Sequence, residues 1–176
     1  MSFSTGQVVV HPHHGPATVK KIFTRVIRNE RKRYLRLAVH HDELLSVAVP
    51  LDAAEEIGVR ATVDVVEVRE IFAELLAESS PYEKVWSRRI KADTERLRSG
   101  RIGTIAGLIR DLTRRNEEKR LAFGEMKLLR DATGPFVAEL ALVLALTEEK
   151  VAAMVHAAIL EGTKPELPDH ELAAAS

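Results

Sequence analysis

The chain of 176 residues carries 26 Lys/Arg and 26 Asp/Glu, a formal net charge of zero at neutral pH. Hydrophobic residues make up 45% and charged residues 30%, the balance of a folded globular chain with room for one large domain or two small ones. The absence of cysteine excludes disulfides, thiol nucleophiles and cysteine-ligated zinc. No run reaches the roughly 18 apolar residues of a membrane span. The first residues, Met1 to Gly6, lack the basic-then-apolar layout of a secretory leader. A cytoplasmic protein is expected.

Taken in order, residues 1–63 read as β. Gln7 to Val10 is a short apolar run closed by His11-Pro12, and His13-His14-Gly15-Pro16 is a turn signal. Ala17 to Phe23 is a second β-rich run. The polar residues 28–33 suit a hairpin turn. Tyr34 to Val39 alternates, with Leu35, Leu37 and Val39 on one face, and Leu45, Val47 and Val49 alternate again before Pro50. His40 to Glu43 is the turn between them, and Leu51 to Glu56 has room for one helical turn. Short strands at this spacing suggest a small barrel or half-open sheet, not a parallel α/β sheet.

From about residue 64 the period becomes helical. Val65, Val68, Phe72, Leu75 and Leu76 recur at that spacing, and Ser79-Ser80-Pro81 ends the helix. A second helix begins near Trp86 and stops at Ser99-Gly100. Thr104 is expected to cap a third, with Ile105, Leu108, Ile109 and Leu112 inward. A long helix is expected from Ala122 to Leu146, kinked or split at Gly134-Pro135. Thr147 should cap a last helix that Gly162 ends. Residues 163–176 hold two prolines and few large apolar residues, so disorder is expected there. The fold class is α+β in two domains, a small β domain followed by an all-α domain.

The zero net charge hides large local terms. Residues 1–63 sum to +3, 64–80 to −4, 81–130 to +7 and 131–176 to −6. Trp86, the only tryptophan, opens the run Trp86-Ser87-Arg88-Arg89-Ile90-Lys91 near the start of the basic segment. Arg110, Arg114, Arg115, Lys119, Arg120, Lys127 and Arg130 follow. Segregated charge beside one large aromatic is the pattern of a nucleic-acid face with an apolar wedge. No base-reading motif is present, so contacts to the backbone and to groove shape are expected. The blander alternatives are a core tryptophan and a solvated helix face.

Other chemistry is weaker. His11 and His13 share a face if extended, and His40 or His41 across a hairpin could complete a three-histidine zinc site. Pro12 and the turn context favour loop histidines instead. There is no nucleophile elbow, P-loop or dinucleotide-binding glycine pattern. Glu117-Glu118 and Glu148-Glu149 are neighbours that point about 100° apart on a helix, so neither is a carboxylate dyad.

The segments Gly6-Gln7-Val8-Val9-Val10-His11-Pro12-His13-His14-Gly15, Tyr34-Leu35-Arg36-Leu37, Val49-Pro50, Trp86-Ser87-Arg88-Arg89, Arg110-Asp111-Leu112 and Gly124-Glu125 occur in one order. In this the chain resembles the CarD family of bacterial transcription regulators, in the short two-domain form also called CdnL, over about residues 3–160. The first segment is also similar to the polymerase-binding module of the transcription–repair coupling factor. The resemblance implies a Tudor-like RNA polymerase-interaction domain over 1–63, a helical DNA-binding domain over 64–162 and a tail over 163–176. The first domain would dock on the polymerase β subunit by pairing strand edges, with Arg25 at the contact. The second would sit on promoter DNA at the upstream edge of the transcription bubble. Trp86 would wedge into the minor groove, with Arg88, Arg89, Lys91 and Lys127 as DNA contacts. The open promoter complex would thereby be stabilised, without catalysis, cofactor, metal, membrane or small-molecule substrate. Two departures stand out. A family arginine at the polymerase contact aligns with Ala48, and a family lysine on the DNA side aligns with Met126. An adaptor with little DNA activity is the competing reading, and it requires Trp86 to be packed away.

Overall fold

The structure, a computed structural model, describes residues 2–40, 44–81 and 83–167. His41 and the tail residues 168–176 lie outside the described residues. The chain divides into two compact units, Met1–Thr62 and Val63–Ser176.

The first unit is a five-stranded antiparallel sheet with one short helix. Its strands are β1 (Val8–His11), β2 (Gly15–Ile27), β3 (Glu30–Val39), β4 (Ser46–Pro50) and β5 (Arg60–Ala61), in the order β4-β3-β2-β1-β5. The helix α1 (Ala54–Ile57) precedes β5. The alternation expected of a half-buried sheet is present. Leu35 pairs with Ile22 and Val49, and Leu37 pairs with Val19 and Val47. These side chains face a core completed by Val9, Ala17, Val39, Ala54 and Val59.

The β2–β3 hairpin differs from its expected form. Residues 30–33 continue the strand, and the turn is Arg28-Asn29 alone. Both have positive φ, 51° and 63°, the mirror-image turn whose twist suits a two-residue hairpin. The polar run hid this because an exposed hairpin arm carries polar residues on both faces. The two-residue strand β5 also escaped the pattern, being too short to alternate.

Among the described residues the second unit contains five helices: α2 (Val65–Leu76), α3 (Trp86–Arg98), α4 (Ile102–Glu118), α5 (Phe123–Leu144) and α6 (Glu148–Glu161). Asp64 caps α2 in a reciprocal box with Glu67. Thr147 caps α6, and Gly162 ends it at φ 66°, a left-handed conformation that favours glycine. Val68, Phe72, Leu75, Leu108, Leu112, Phe136, Leu140, Val151 and Ile159 share one core.

One expectation fails and another is narrowed. Thr104 is not the cap of α4, which starts two residues earlier with Arg101 at its N-cap position. Ile102 packs against the core, and that contact extends the helix past the residue chosen on capping preference. Of the two forms expected at Gly134-Pro135, kinked or split, the split does not occur, since a single helix runs through both residues. Ala132, Phe136, Val137 and Leu140 are buried on either side of the proline. Their burial outweighs the helix bond that proline removes. Beyond α6, Leu167 packs against the same core.

Candidate nucleic-acid interface

Trp86 is the first residue of α3, and the helix presents two faces. Trp86, Arg89, Ile90 and Asp93 recur on the side toward the other helices. Ser87, Arg88 and Lys91 lie on the exposed side. Trp86 sits where the inward face meets solvent and is 49% exposed. Its ring lies against the start of α5. A Cβ added to Gly124 would stand 3.8 Å from Trp86 Cζ2 and 3.7 Å from Ile90 Cδ1. Glycine there allows the flat ring to approach the helix backbone.

Arg89 ties the two helices together. Its Nε donates to Glu125 Oε1 at 2.9 Å, and its Nη1 donates to the carbonyls of Glu83 and Lys84. Glu125 in turn accepts from Arg115 Nη1 at 3.2 Å and from the Ala122 amide. The chain of ion pairs continues. Arg115 reaches Asp93 at 2.8 Å, and Asp93 meets Arg96 at 3.4 Å. Arg96 meets Asp111 at 2.9 Å, Asp111 meets Arg110 at 2.8 Å, and Arg110 meets Glu74 at 2.7 Å. Four arginines and four carboxylates from α2, α3, α4 and α5 thus alternate. Arg110, Asp111, Asp93 and Glu125 are buried. Buried charges at such distances must be paired to be tolerated, and here each acid has at least one arginine.

This chain accounts for part of the basic segment. Arg89, Arg96, Arg110 and Arg115 are held by it, and Arg114 donates to the carbonyls of Ile159 and Ala77. Arg88 and Lys91 remain on the surface, with Arg88 4.0 Å from Glu83. Lys127 on α5 is 57% exposed and paired with Asp131. Of the five DNA contacts expected from sequence, Trp86, Arg88 and Lys91 therefore share the exposed start of α3, Arg89 faces inward, and Lys127 lies one turn beyond Gly124 on α5. Beside Trp86 is a cavity of about 440 Å³ whose lining includes Lys84, Lys119, Arg120 and Leu121.

In the first unit, the sheet face opposite the core is basic and aromatic. Phe23 on β2 stacks with Tyr34 on β3, ring centroids 5.8 Å apart. Lys21, Arg25 and Arg36 stand 5.7, 5.5 and 5.3 Å from the Phe23 centroid. Arg25 is therefore one of three cations gathered around one ring. Arg36, which alternation alone does not single out, is the direct cross-strand partner of Ala48.

The histidines are separated from one another in role. Buried His11 has its pKa lowered from 6.5 to about 4, first by burial, then by His14 and His13. Its Nδ1 accepts from the His13 amide at 3.2 Å. His40 Nε2 lies 2.8 Å from Thr18 Oγ1, and its pKa is lowered by burial and then by Lys20. Among the described residues no group of three or more His, Asp or Glu side chains is arranged to hold a metal ion.

Residues 3–62 match the family model described as the CarD-like/TRCF RID domain, and residues 70–156 match that of the CarD C-terminal domain. The chain belongs to the CarD family of transcription regulators. A curated relative from Bacillus subtilis (strain 168), named "Putative transcription factor YdeB", is 25% identical over 151 residues, 85% of this chain and 97% of that protein. The two CarD-family matches fall one on each compact unit. Among the described residues no helix is long and apolar enough to cross a membrane.

Proposed function

We propose that this CarD-family protein binds the RNA polymerase β subunit through its N-terminal sheet and stabilises the open promoter complex through its helical unit. The observation that carries this reading is Trp86, a half-exposed ring set on a helix start and backed by Gly124 and Ile90. The ring enters the minor groove at the upstream edge of the bubble. Arg88, Lys91 and Lys127 lie along the phosphate backbone. Arg89 acts as a positioning residue, because its guanidinium binds Glu125 and the backbone before Trp86. Its part in DNA binding is to hold the wedge.

The energetics are adequate without catalysis or a cofactor. A melted promoter recloses, and a ring lodged at the fork opposes re-stacking. One stacked base is worth about 1–3 kcal/mol, or about 5- to 150-fold in the opening equilibrium. Weak intrinsic DNA binding suffices, because docking on polymerase raises the effective concentration of the wedge. Beside the strand-edge pairing that the resemblance implies, the docking surface includes the basic aromatic side of β2 and β3. Arg25 and Arg36 flank Phe23 there and suit an acidic protein surface. The family arginine absent at Ala48 is answered from the adjacent strand by Arg36.

The test is the lifetime of open complexes on a ribosomal RNA promoter with cognate polymerase. Wild-type protein is expected to lengthen it, and a folded Trp86→Ala variant is expected not to. No effect of the wild-type protein would overturn the reading.

A further inference from the structure

Phe123 is 84% exposed, and no other phenylalanine or tryptophan among the described residues is so exposed. It is the first residue of α5, immediately before the glycine that backs Trp86. Nothing in the fold calls for it. It belongs to neither core, and alanine would serve the helix better. Leaving such a ring in water forgoes the gain its burial would bring. Its surroundings indicate what covers it. Lys119 and Arg120 precede it on the same connection, Lys84 lies two residues before Trp86, and all three are exposed and line the cavity beside the tryptophan. Met126, one turn along α5, is 42% exposed and extends the apolar stripe. Exposed rings interleaved with cations are the two components of a surface for unpaired nucleic acid. The rings stack on bases and the cations follow the phosphates.

We propose that Phe123 is a second stacking residue, which holds an unpaired base of the melted strand next to the one wedged by Trp86. This rests on the proposed function and deepens it. The pair of rings makes the site a clamp for a flipped or frayed base rather than a single wedge.

The experiment measures open-complex lifetime after competitor challenge, with full-length protein, cognate polymerase and a linear promoter fragment. Phe123→Ala is expected to shorten the lifetime at least threefold. Phe123→Tyr should retain it, and Phe123→Leu should behave like alanine because it offers bulk without a stacking face. All three should melt within about 1 °C of wild type, since the side chain is exposed and joins neither core. A wild-type lifetime for Phe123→Ala beside a short one for Trp86→Ala overturns the second contact and leaves the proposed function standing. Wild-type lifetimes for both overturn the two together. Retention by Phe123→Leu overturns stacking. Weaker binding of Phe123→Ala to polymerase without DNA also overturns the proposal, because it assigns the ring to a protein contact.

Discussion

Arg89 on α3 and Glu125 on α5 form a largely buried ion pair, Nε to Oε1 at 2.9 Å, one turn from Trp86. Removing the arginine leaves Glu125 with Arg115 and one amide. Arg89→Ala is expected to cost about 2–4 kcal/mol of stability, read as a lower urea midpoint. It should also reduce open-complex lifetime at temperatures where the variant is still folded. Arg88→Ala, by contrast, should leave stability within about 0.5 kcal/mol and weaken only the DNA contact.

The Trp86–Gly124 contact separates function from folding. A half-exposed ring contributes less to stability than a core ring, so Trp86→Ala should cost under about 2 kcal/mol. Its effect on open-complex lifetime should be about fivefold or greater. Gly124→Ala places a methyl in ordinary contact with the indole and should be tolerated. Gly124→Leu must displace the ring, and should shorten the lifetime without loss of polymerase binding.

Arg36 and Ala48 face each other across β3 and β4. Arg25→Glu and Arg36→Glu are each expected to weaken binding to the isolated β subunit about three- to tenfold at low salt, mainly through slower association. The exchange Arg36→Ala with Ala48→Arg moves the guanidinium across one strand, about 5 Å at Cβ. It should recover most of the binding lost by Arg36→Ala alone. Titration calorimetry or fluorescence anisotropy at two salt concentrations checks both statements.

His11 makes the first unit acid-sensitive. Its folded pKa, about 4, lies below the unfolded value of 6.5, so the unfolded state binds more protons between the two. The contribution is fully present above the unfolded value and is lost as pH falls from about 6.5 toward 4. Chemical unfolding at pH 7 and pH 4.5 should differ by about 2–3 kcal/mol from this residue. His11→Gln should flatten the dependence.

How much of this was legible in the sequence depends on distance along the chain. The alternation at Leu35, Leu37, Val47 and Val49 and the helical repeat of Val65, Val68, Phe72 and Leu75 are local, and both reappear in the structure. Trp86 at a helix start is local as well. The role of the arginines is not. Arg96 and Arg110 look like surface charge until Asp111 and Glu74 are brought to them by packing of α2, α3 and α4. Arg89 sits between Arg88 and Ile90 in sequence, and only the helix phase relative to α5 turns it inward. Phe123 is missed for the opposite reason. The pattern of apolar residues along a helix does not say which of them stay in water, and the exposure of Phe123 is visible only once α5 is placed against α3.

The alternating chain of arginines and carboxylates has a thermodynamic consequence for how this protein should respond to ionic strength. Counterions gather on exposed charge, and a buried neutral network has none to release. A chain judged by its +7 segment would be expected to lose DNA affinity steeply as salt rises. With Arg89, Arg96, Arg110 and Arg115 committed internally, the phosphate contacts left to the exposed cations Lys84, Arg88, Lys91, Lys119, Arg120 and Lys127 should give a logarithmic salt slope of about −4 to −5, shallower than the whole basic segment would give. The part of the grip that comes from shape and stacking should persist at salt concentrations that remove most long-range attraction.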